Sequence, residues 1–366
     1  MKLADIIRIL EDIAPPEYAQ VDDAIGLQIG DPNQDVRSIM VTVDITPGIV
    51  SEAIRRPVDL IVAHHPLISA KHSPLASVRL DEYPQSLVYQ LVNAGIGLWV
   101  MHTNYDVTVG GINDVLAERL GILDTKVFLP SHQGKMFKLT TFVPGEAVDA
   151  VRDALAEAGA GVIGNYTHCS FQSPGTGTFK PEEGAEPYVG KVGELEKAAE
   201  FRLEMLVAED RLHDAISALI AAHPYDEVAY DVYPLWNKGV THGIGRIGKL
   251  RESMSFQRFC AMVCRELGVT DPRVVGDPES VVETIAFIGG GGGSRVGLAH
   301  EMGADVYLSG DVNHHQFLEA KALGINVIDA THFWTERPGM IALAPRLHGL
   351  LKKVTVEYWD DFIEEP

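Results

Sequence analysis

The chain has 366 residues, more than one typical hydrophobic core accommodates, so the sequence predicts two or three domains. Hydrophobic residues at 46% are ample for packed cores and exclude an intrinsically disordered protein. Fifty-one acidic residues against 30 basic ones give a formal charge of −21. This charge disfavours binding to nucleic acid or to an anionic membrane surface, and it suits a protein that concentrates cations.

The cysteines and the apolar segments predict a cytoplasmic protein. Cys169, Cys260 and Cys264 form neither an even framework nor a C-x-x-C pair, as expected in a reducing compartment. No apolar stretch approaches the length needed to span a bilayer. Acidic residues interrupt the N-terminal apolar segment, which has the periodicity of an amphipathic helix over residues 3–13 rather than the pattern of a secretory signal.

The first third of the chain shows the alternating strands and helices of an α/β unit. The apolar pattern predicts strands at 38–44, 59–63 and 97–101, and helices at 48–55, 85–94 and 115–120. Thr46 has the position of an N-cap before Pro47. Because residues 60–63 of this strand are all apolar, we expect burial on both faces. Sheets of this kind place functional residues just beyond the carboxyl ends of their strands.

Two adjacent histidines lie at such a strand end. His64 and His65 follow strand 59–63 directly, and Pro66 then forces the chain to turn. On a straight strand the two side chains would point to opposite faces, but at a turning strand end they can converge on a metal ion. The alternative is a loop in which one histidine caps a backbone group. We favour metal ligands because the two histidines lie just beyond the end of a strand. Asp106 likewise lies beyond a strand, 97–101.

Residues 134–235 follow a different pattern. Strands are predicted at 137–143, 166–171, 201–207 and 228–233, and helices at 145–158 and 212–222. Two strand–helix–strand halves are typical of a ferredoxin-like α+β domain. We predict a Gly/Pro-rich loop at 173–178 and 181–187, and a return linker that contains Gly239, Gly243, Gly245 and Gly248. The histidines at 168, 213 and 223 lack ligand spacing and are interpreted as structural or surface residues.

A run of five glycines, residues 289–293, lies between a predicted strand at 284–288 and a predicted helix at 296–302. Bare backbone N–H groups and a helix N-terminus can together bind an anion. On this interpretation the contacts to a phosphate-bearing ligand are Gly290, Gly291, Gly292, Ser294 and Arg295. The alternative is a tight turn that allows close packing against a neighbouring element. The sequence leaves both open, because the run has neither a P-loop lysine nor dinucleotide-binding spacing.

The last strand–helix units carry residues that line the same predicted cleft, and a further candidate pair of ligands. The strand predicted at 305–309 leads to Asp311, His314 and His315, and the strand at 326–328 leads to His332 and Glu336. If a helix begins after residue 330, His332 and Glu336 share one face because they are four residues apart. Such a pair is most often a surface ion pair, so a metal role depends on matching ligands elsewhere in the chain.

Matching ligands exist, and together they predict a dinuclear metal centre. The set consists of three imidazoles and two carboxylates: His64, His65, Asp106, His332 and Glu336. Five ligands exceed what one tetrahedral site needs, and a carboxylate can bridge two ions, so we predict two divalent ions per subunit. The ligand types suit zinc, manganese or ferrous iron, and magnesium less well.

With these residues assembled, the chain resembles the Nif-three-like family, whose members are often labelled GTP cyclohydrolase I type 2 homologues. The resemblance rests on motifs in the family's order, namely DDAIGLQIG from Asp22, AHHPL from Ala63, HTNYD from His102, FIGGGGG from Phe287, YLSGD from Tyr307 and THFWTE from Thr331. Residues 164–171 and 223–228 resemble the PII/CutA-like insertion of the longer bacterial members. Two departures are Thr331 and Thr335, where the family usually has Gly and Ser. A third is Val21-Asp22-Asp23, where the family usually has Trp-Asp-Asn.

The resemblance implies a fold, an assembly and the same five metal ligands. The fold is a two-lobed α/β core with parallel-rich sheets, formed by residues 1–130 and 239–366, with an inserted ferredoxin-like, PII/CutA-like α+β domain at 131–238. The implied assembly is a toroidal homohexamer whose metal sites face an internal cavity.

Two functions are compatible with these expectations. The first is a metal-dependent hydrolase of a nucleotide or other small anionic, phosphorylated substrate, in which the ions lower the pKa of a bound water. The family name implies attack of hydroxide on C8 of GTP with loss of formate, with the glycine run and Arg295 holding the triphosphate. His102, His314 and Asp311 are candidate general bases, and His102 is preferred. The alternative is a non-enzymatic metal-binding, ion-handling or assembly protein whose inserted domain contacts a partner.

Overall fold

The computed structural model describes residues 1–70, 74 and 77–361. Its contacts divide the chain into two units. The first, which we call the core, comprises Met1–Ser131 and His242–Pro366, and the second, the inserted unit, comprises His132–Thr241. Within the described residues, no helix combines the length and the apolar character that crossing a membrane requires.

The described residues form eleven helices and thirteen strands. The helices are α1 (Leu3–Ile13), α2 (Pro47–Arg55), α3 (Gln85–Ala94), α4 (Thr103–Val107), α5 (Ile112–Arg119), α6 (Val148–Glu157), α7 (Leu212–Ala222), α8 (Phe256–Leu267), α9 (Val296–Glu301), α10 (His314–Leu323) and α11 (His332–Leu350). The strands are β1 (Gly26–Ile29), β2 (Ser38–Thr42), β3 (Leu60–Ala63), β4 (Gly97–Val100), β5 (Ile122–Pro144), β6 (Ser170–Phe179), β7 (Glu196–Ala208), β8 (Tyr230–Ser255), β9 (Arg273–Val275), β10 (Val281–Gly291), β11 (Val306–Gly310), β12 (Asn326–Asp329) and β13 (Thr355–Tyr358).

The first core sheet has the strand order β1-β4-β3-β2-β13. Its four strands from β4 to β13 are parallel, and β1 runs antiparallel along the edge. Both faces are buried, as the apolar run of β3 predicts: Leu60 and Val62 pack with residues of α1 and α11, whereas Ile61 and Ala63 pack with residues of α2 and α3. Because β2, β3 and β4 are parallel, their carboxyl ends meet at one edge of the sheet.

The second core sheet contains the order β8-β10-β11-β12-β9. Strands β10, β11 and β12 are parallel, whereas β8 and β9 are antiparallel to their neighbours. The carboxyl ends of the three parallel strands lead into the glycine run, into Asp311 and into α11. This sheet therefore also presents its candidate functional residues at one edge.

The inserted unit follows the order strand–helix–strand–strand–helix–strand, from β5 through α6, β6, β7 and α7 to β8. The strands lie in the order β6-β7-β5-β8, and β7 pairs antiparallel with both β5 and β6. Its apolar core contains side chains of α6 and α7, including Val151, Leu155 and Leu219. Its assignment to a ferredoxin-like or PII/CutA-like class stays a prediction.

Two predicted connections are wrong where strands occur instead, whereas residues 181–187, the second part of the predicted loop, lie outside the helices and strands as predicted. The predicted loop at 173–178 belongs to β6, which pairs with β7 along its whole length. Pro174 and the glycines of β6 are tolerated because β6 is an edge strand. The predicted glycine linker belongs to β8. A Cβ at Gly243 would lie 2.2 Å from the backbone oxygen of Leu129, so this glycine permits a close approach to β5.

We expect a single methyl group to disturb the contact between α5 and α11. A Cβ at Gly339 would lie 2.5 Å from Cδ1 and 2.9 Å from Cα of Ile112, so Gly339→Ala should reduce the free energy of unfolding by about 1–3 kcal/mol. Gly349 lies on the same helix with nothing within 4 Å, so Gly349→Ala should be neutral or stabilising. Denaturant unfolding measures both changes. Equal effects of the two substitutions would contradict the close contact.

Candidate metal centre

Four of the candidate residues come from the edge of the first core sheet. His64 and His65 follow β3, and their ring centroids lie 4.9 Å apart, so the turn does bring the adjacent histidines together. His102 follows β4, and its ring lies 5.3 Å from that of His64. Asp106 lies in the one-turn helix α4, a helix that the sequence pattern did not predict.

The second core sheet contributes the other residues. His332 and Glu336 lie on the first turns of α11, directly after β12, with His332 Nε2 3.0 Å from Glu336 Oε1. Across the site, His65 Nε2 lies 3.2 Å from Glu336 Oε2, and His64 Nε2 lies 3.4 Å from Glu336 Oε1. The Glu336 carboxylate, 2% exposed, is therefore surrounded by three imidazole nitrogens.

Three groups of described residues have ligand atoms close enough to hold a metal ion. They are His65–His332–Glu336, His64–Asp106–Glu336 and His64–His65–His102. All five predicted ligands occur in these groups, and the first two groups share Glu336. His102, predicted as a general base, joins the third group.

The orientation of each imidazole is fixed by a hydrogen bond at Nδ1. The acceptors are Met101 O for His64 (2.8 Å), Asp44 Oδ1 for His65 (2.7 Å), Asp23 Oδ1 for His102 (2.8 Å) and Asp311 Oδ2 for His332 (2.7 Å). With a proton held at Nδ1, Nε2 is the atom of each ring that can bind a metal ion once it carries no proton. Histidine ligands of metals are oriented in this way by carboxylates and carbonyls.

Buried polar atoms that lack a hydrogen-bond partner indicate whether these residues suit a bound cation. Among the described residues, His64 Nε2, Asp106 Oδ1 and Glu336 Oε2 are buried and accept no hydrogen bond. Buried polar atoms in folded proteins are almost always satisfied, and leaving one unsatisfied is costly. A divalent cation satisfies imidazole nitrogens and carboxylate oxygens together, so the donor set fits a metal ion.

The charge of each of these groups shifts the pKa values of its neighbours. Burial opposes protonation of His65 and His332, but Glu336 and the other carboxylates beside them outweigh it and raise the pKa of His65 to about 10 and that of His332 to about 11. Burial and the charge of Glu336 raise the pKa of Asp106 to about 7. Burial also opposes the charge of Glu336, but the imidazoles around it hold its pKa well below its usual range.

Sequence reasoning missed two carboxylates behind the ligands, Asp44 and Asp23. Asp44 follows the end of β2, so the rule that pointed to His64 could have found it. Asp23 lies in a segment without regular structure, and its only signal is its place in the DDAIGLQIG motif. Burial opposes its charge, but hydrogen bonds from His102 and Thr103 lower the pKa of Asp23 to about 2.

The remaining predicted residues have different surroundings. Asp311 hydrogen-bonds to the Nδ1 atom of His332 and belongs to none of the three groups found within the described residues. His314 and His315 are exposed on the first turn of α10, where their rings contact each other. None of the three metal-holding groups within the described residues includes these two histidines. Of the three predicted general bases, only His102 lies among the candidate ligands.

The geometry of the glycine run favours close packing. A Cβ at Gly290 would lie 2.1 Å from Glu336 Oε1, so a side chain there would collide with the buried carboxylate. The amides of Gly290 and Gly292 already donate to hydroxyls, those of Thr335 and Ser309. These two N–H groups are therefore engaged within the protein, whereas Arg295 and Ser294 are exposed.

The fold and the site define a mixed α/β protein with side-chain clusters that could bind metal ions. The chain matches the family described as Duf34/NIF3 (NGG1p interacting factor 3) over residues 1–363, and it belongs to this family. The resemblance found in the motifs is confirmed. A Bacillus subtilis relative, named GTP cyclohydrolase 1 type 2 homolog, is 42% identical over 330 residues, 90% of this chain and 87% of the relative. A Mycobacterium leprae protein of the same name is 37% identical over 341 residues, covering 92% and 87%.

Solved structures of similar proteins agree with the fold. A Bacillus cereus protein related to NIF3 superposes with a TM-score of 0.88 at 38% identity, covering 100% of this chain and 98% of that one. A Staphylococcus aureus protein gives a TM-score of 0.70 at 27% identity, covering 100% and 97%. The α/β class predicted from the sequence is therefore confirmed.

Thr331, one of the departures from the family pattern, is strained. Its φ of 62° and ψ of 162° fall in a region that is essentially restricted to glycine, and its buried hydroxyl oxygen accepts no hydrogen bond from any described residue. Relief of strain should exceed the entropic cost of a glycine, so Thr331→Gly should raise the free energy of unfolding by about 1 kcal/mol. Thr355→Gly, in the extended strand β13, should lower it. Thermal unfolding of both variants checks the signs; a destabilised Thr331→Gly variant would contradict the strain.

Binding of a divalent metal should release protons. Because the pKa values of His65 and His332 are raised to about 10 and 11, both imidazoles are protonated near neutral pH, and a metal ion competes with those protons. Zinc affinity should therefore fall as the pH is lowered. Calorimetry in buffers of different ionisation enthalpy should count about two released protons per subunit, one from each imidazole. His315→Ala should give the same count, and a binding enthalpy independent of the buffer would contradict this prediction.

Proposed function

We propose that the chain holds two divalent metal ions and acts as a metal-dependent hydrolase on a nucleotide or another small phosphorylated substrate. The proposed ligands are His65, His332 and Glu336 for one ion, and His64, Asp106 and Glu336 for the other. This assignment rests on one observation above all, the buried Glu336 carboxylate lying 3.0–3.4 Å from three imidazole nitrogens. A carboxylate shared between two groups of candidate ligands would allow two ions to be held side by side.

Bound divalent ions would supply Lewis acidity and an activated water near neutral pH. The side chains of the protein would orient the reactants and accept or donate the proton that is transferred. Asp23 accepts a hydrogen bond from His102 Nδ1, which leaves Nε2 as the atom that can take or give a proton. The His102 ring lies 5.6 Å from that of His65, beside the proposed ions. His102 is therefore the proposed general base, and Asp311 positions His332.

The substrate class follows from charge and from the relatives. Relatives that are up to 42% identical carry the name GTP cyclohydrolase 1 type 2 homolog, so GTP is the first substrate to test. A protein with a formal charge of −21 repels a triphosphate unless cations reverse the local field. The proposed ions would provide that reversal, with the exposed side chains Ser294 and Arg295 as the proposed anion contacts. The homohexamer implied by the family resemblance stays a prediction that a mass measurement in solution would test.

Turnover by metal-loaded protein tests the proposed function. Protein loaded with zinc or manganese, with its ions per subunit counted by elemental analysis, is assayed with GTP for formate release and with an activated phosphodiester. His65→Ala removes a proposed ligand of one ion. Loss of a residue that only supports a metal ligand reduces activity by up to about 100-fold, so loss of the ligand itself should reduce turnover by at least that factor. His315→Ala, the same change at an exposed site on α10, should leave turnover unchanged.

Each result separates the two candidate functions. Equal turnover in the wild type and in His65→Ala would exclude the hydrolase. If the wild type then still contained two ions per subunit, the non-enzymatic metal-binding function would stand. Fewer than two ions, with normal folding, would contradict the dinuclear assignment itself.

A further inference from the structure

The inserted unit contains a cavity that the metal centre does not use. The cavity has a volume of about 680 Å³, within the range of small-molecule sites. Its lining combines aromatic rings, proline and glycine with a few charged side chains, and all lining residues belong to the inserted unit. A cavity of this size in an isolated unit suggests a ligand of its own.

A buried carboxylate, Glu200, lies in the wall of the cavity. Glu200 is in β7, paired with Pro144 of β5 on one side and Gly175 of β6 on the other, and it is only 8% exposed. Its Oε1 atom accepts a hydrogen bond of 2.7 Å from the Tyr225 hydroxyl. A Cβ at Gly177 would lie 2.0 Å from Glu200 Oε2, so glycine at this position makes room for the carboxylate.

Within the part of the chain that the structure describes, no cationic side chain forms an ion pair with Glu200. Of the lining residues, Lys180 pairs with Glu182 and Arg202 pairs with Glu204, and among the described residues no ion pair reaches Glu200. His223 donates from Nε2 to the Phe142 carbonyl and accepts the Tyr225 amide at Nδ1, so its ring is neutral. A buried carboxylate without a cationic partner is costly, and a cationic ligand would remove that cost.

Aromatic rings stand beside the carboxylate. The Tyr225 ring centroid lies 6.1 Å from that of Phe179 and 5.9 Å from that of Tyr188, at interplanar angles of 58° and 45°. Tilted rings around a small space, together with a carboxylate, are the arrangement that attracts organic cations through their quadrupoles and through charge. The apolar remainder of the lining suits a hydrocarbon body.

We propose that the inserted unit binds a small organic cation, a protonated amine or guanidinium carried on an apolar body, with its charged group at Glu200 and its body against Tyr225. The site is separate from the metal centre, so this inference does not depend on the hydrolase.

A pair of probes of similar shape tests the charge requirement. The full-length, metal-loaded protein is titrated with 2-phenylethylammonium and with neutral 2-phenylethanol by calorimetry. A charge-assisted contact to Glu200 should make the ammonium bind at least about tenfold more tightly than the alcohol. Glu200→Gln should abolish that preference, whereas Glu157→Gln, the same change at an exposed site on α6 outside the cavity, should keep it.

Two further measurements locate the probe. His65→Ala should bind the ammonium as the wild type does, because a probe bound at the metal centre would respond to that change. A crystal of the wild-type complex should place the ammonium nitrogen within hydrogen-bonding distance of Glu200, and this result does not depend on how any variant folds. Equal affinity for amine and alcohol, unchanged binding by Glu200→Gln, or density for the amine elsewhere would each overturn the proposal.

Discussion

The burial of the Glu336 carboxylate is the constraint on which the centre depends. A charged carboxylate that is 2% exposed is tolerated only where opposite charge surrounds it. Here the opposite charge comes from two protonated imidazoles, His65 from the first sheet and His332 from the second, and the His64 ring packs against the same carboxylate. The chemistry of the centre therefore depends on the packing of the two core sheets, because a shift of either sheet would separate these groups.

The backbone around Glu336 leaves room for its carboxylate. Gly290 lacks the Cβ that would collide with Oε1, and Gly310 lacks one that would lie 2.6 Å from the amide nitrogen of His332. Thr331 accepts a glycine-like conformation directly before His332, the first residue of α11. Backbone strain is typical of functional sites, where the protein keeps a particular site geometry at a cost in folding stability. The glycine run therefore has a clear steric role, which a search for phosphate-binding motifs does not reveal.

Much of this arrangement could be predicted from the sequence, for identifiable reasons. The apolar run of residues 60–63 and the histidines after it follow a general rule for parallel sheets, and the spacing of His332 and Glu336 follows from the helix period. The errors arose where tertiary context overrode local signals. Pro174 indicated a loop but lies in an edge strand, and Gly243 indicated a linker but allows two strands to approach. Hydrogen-bond partners such as Asp23 could not be predicted, since nothing in the local sequence connects residue 23 to residue 102.

The charge of the whole protein connects these observations. Four imidazoles meet five carboxylates around the centre: His64, His65, His102 and His332 with Asp23, Asp44, Asp106, Asp311 and Glu336. With protons on His65 and His332 the carboxylate charge is only partly balanced, and the surrounding chain adds to the negative field. Such a centre attracts divalent cations and repels anions. Under the proposed function, an anionic substrate would approach only after cations had occupied the centre, so metal loading would be a precondition for the proposed chemistry.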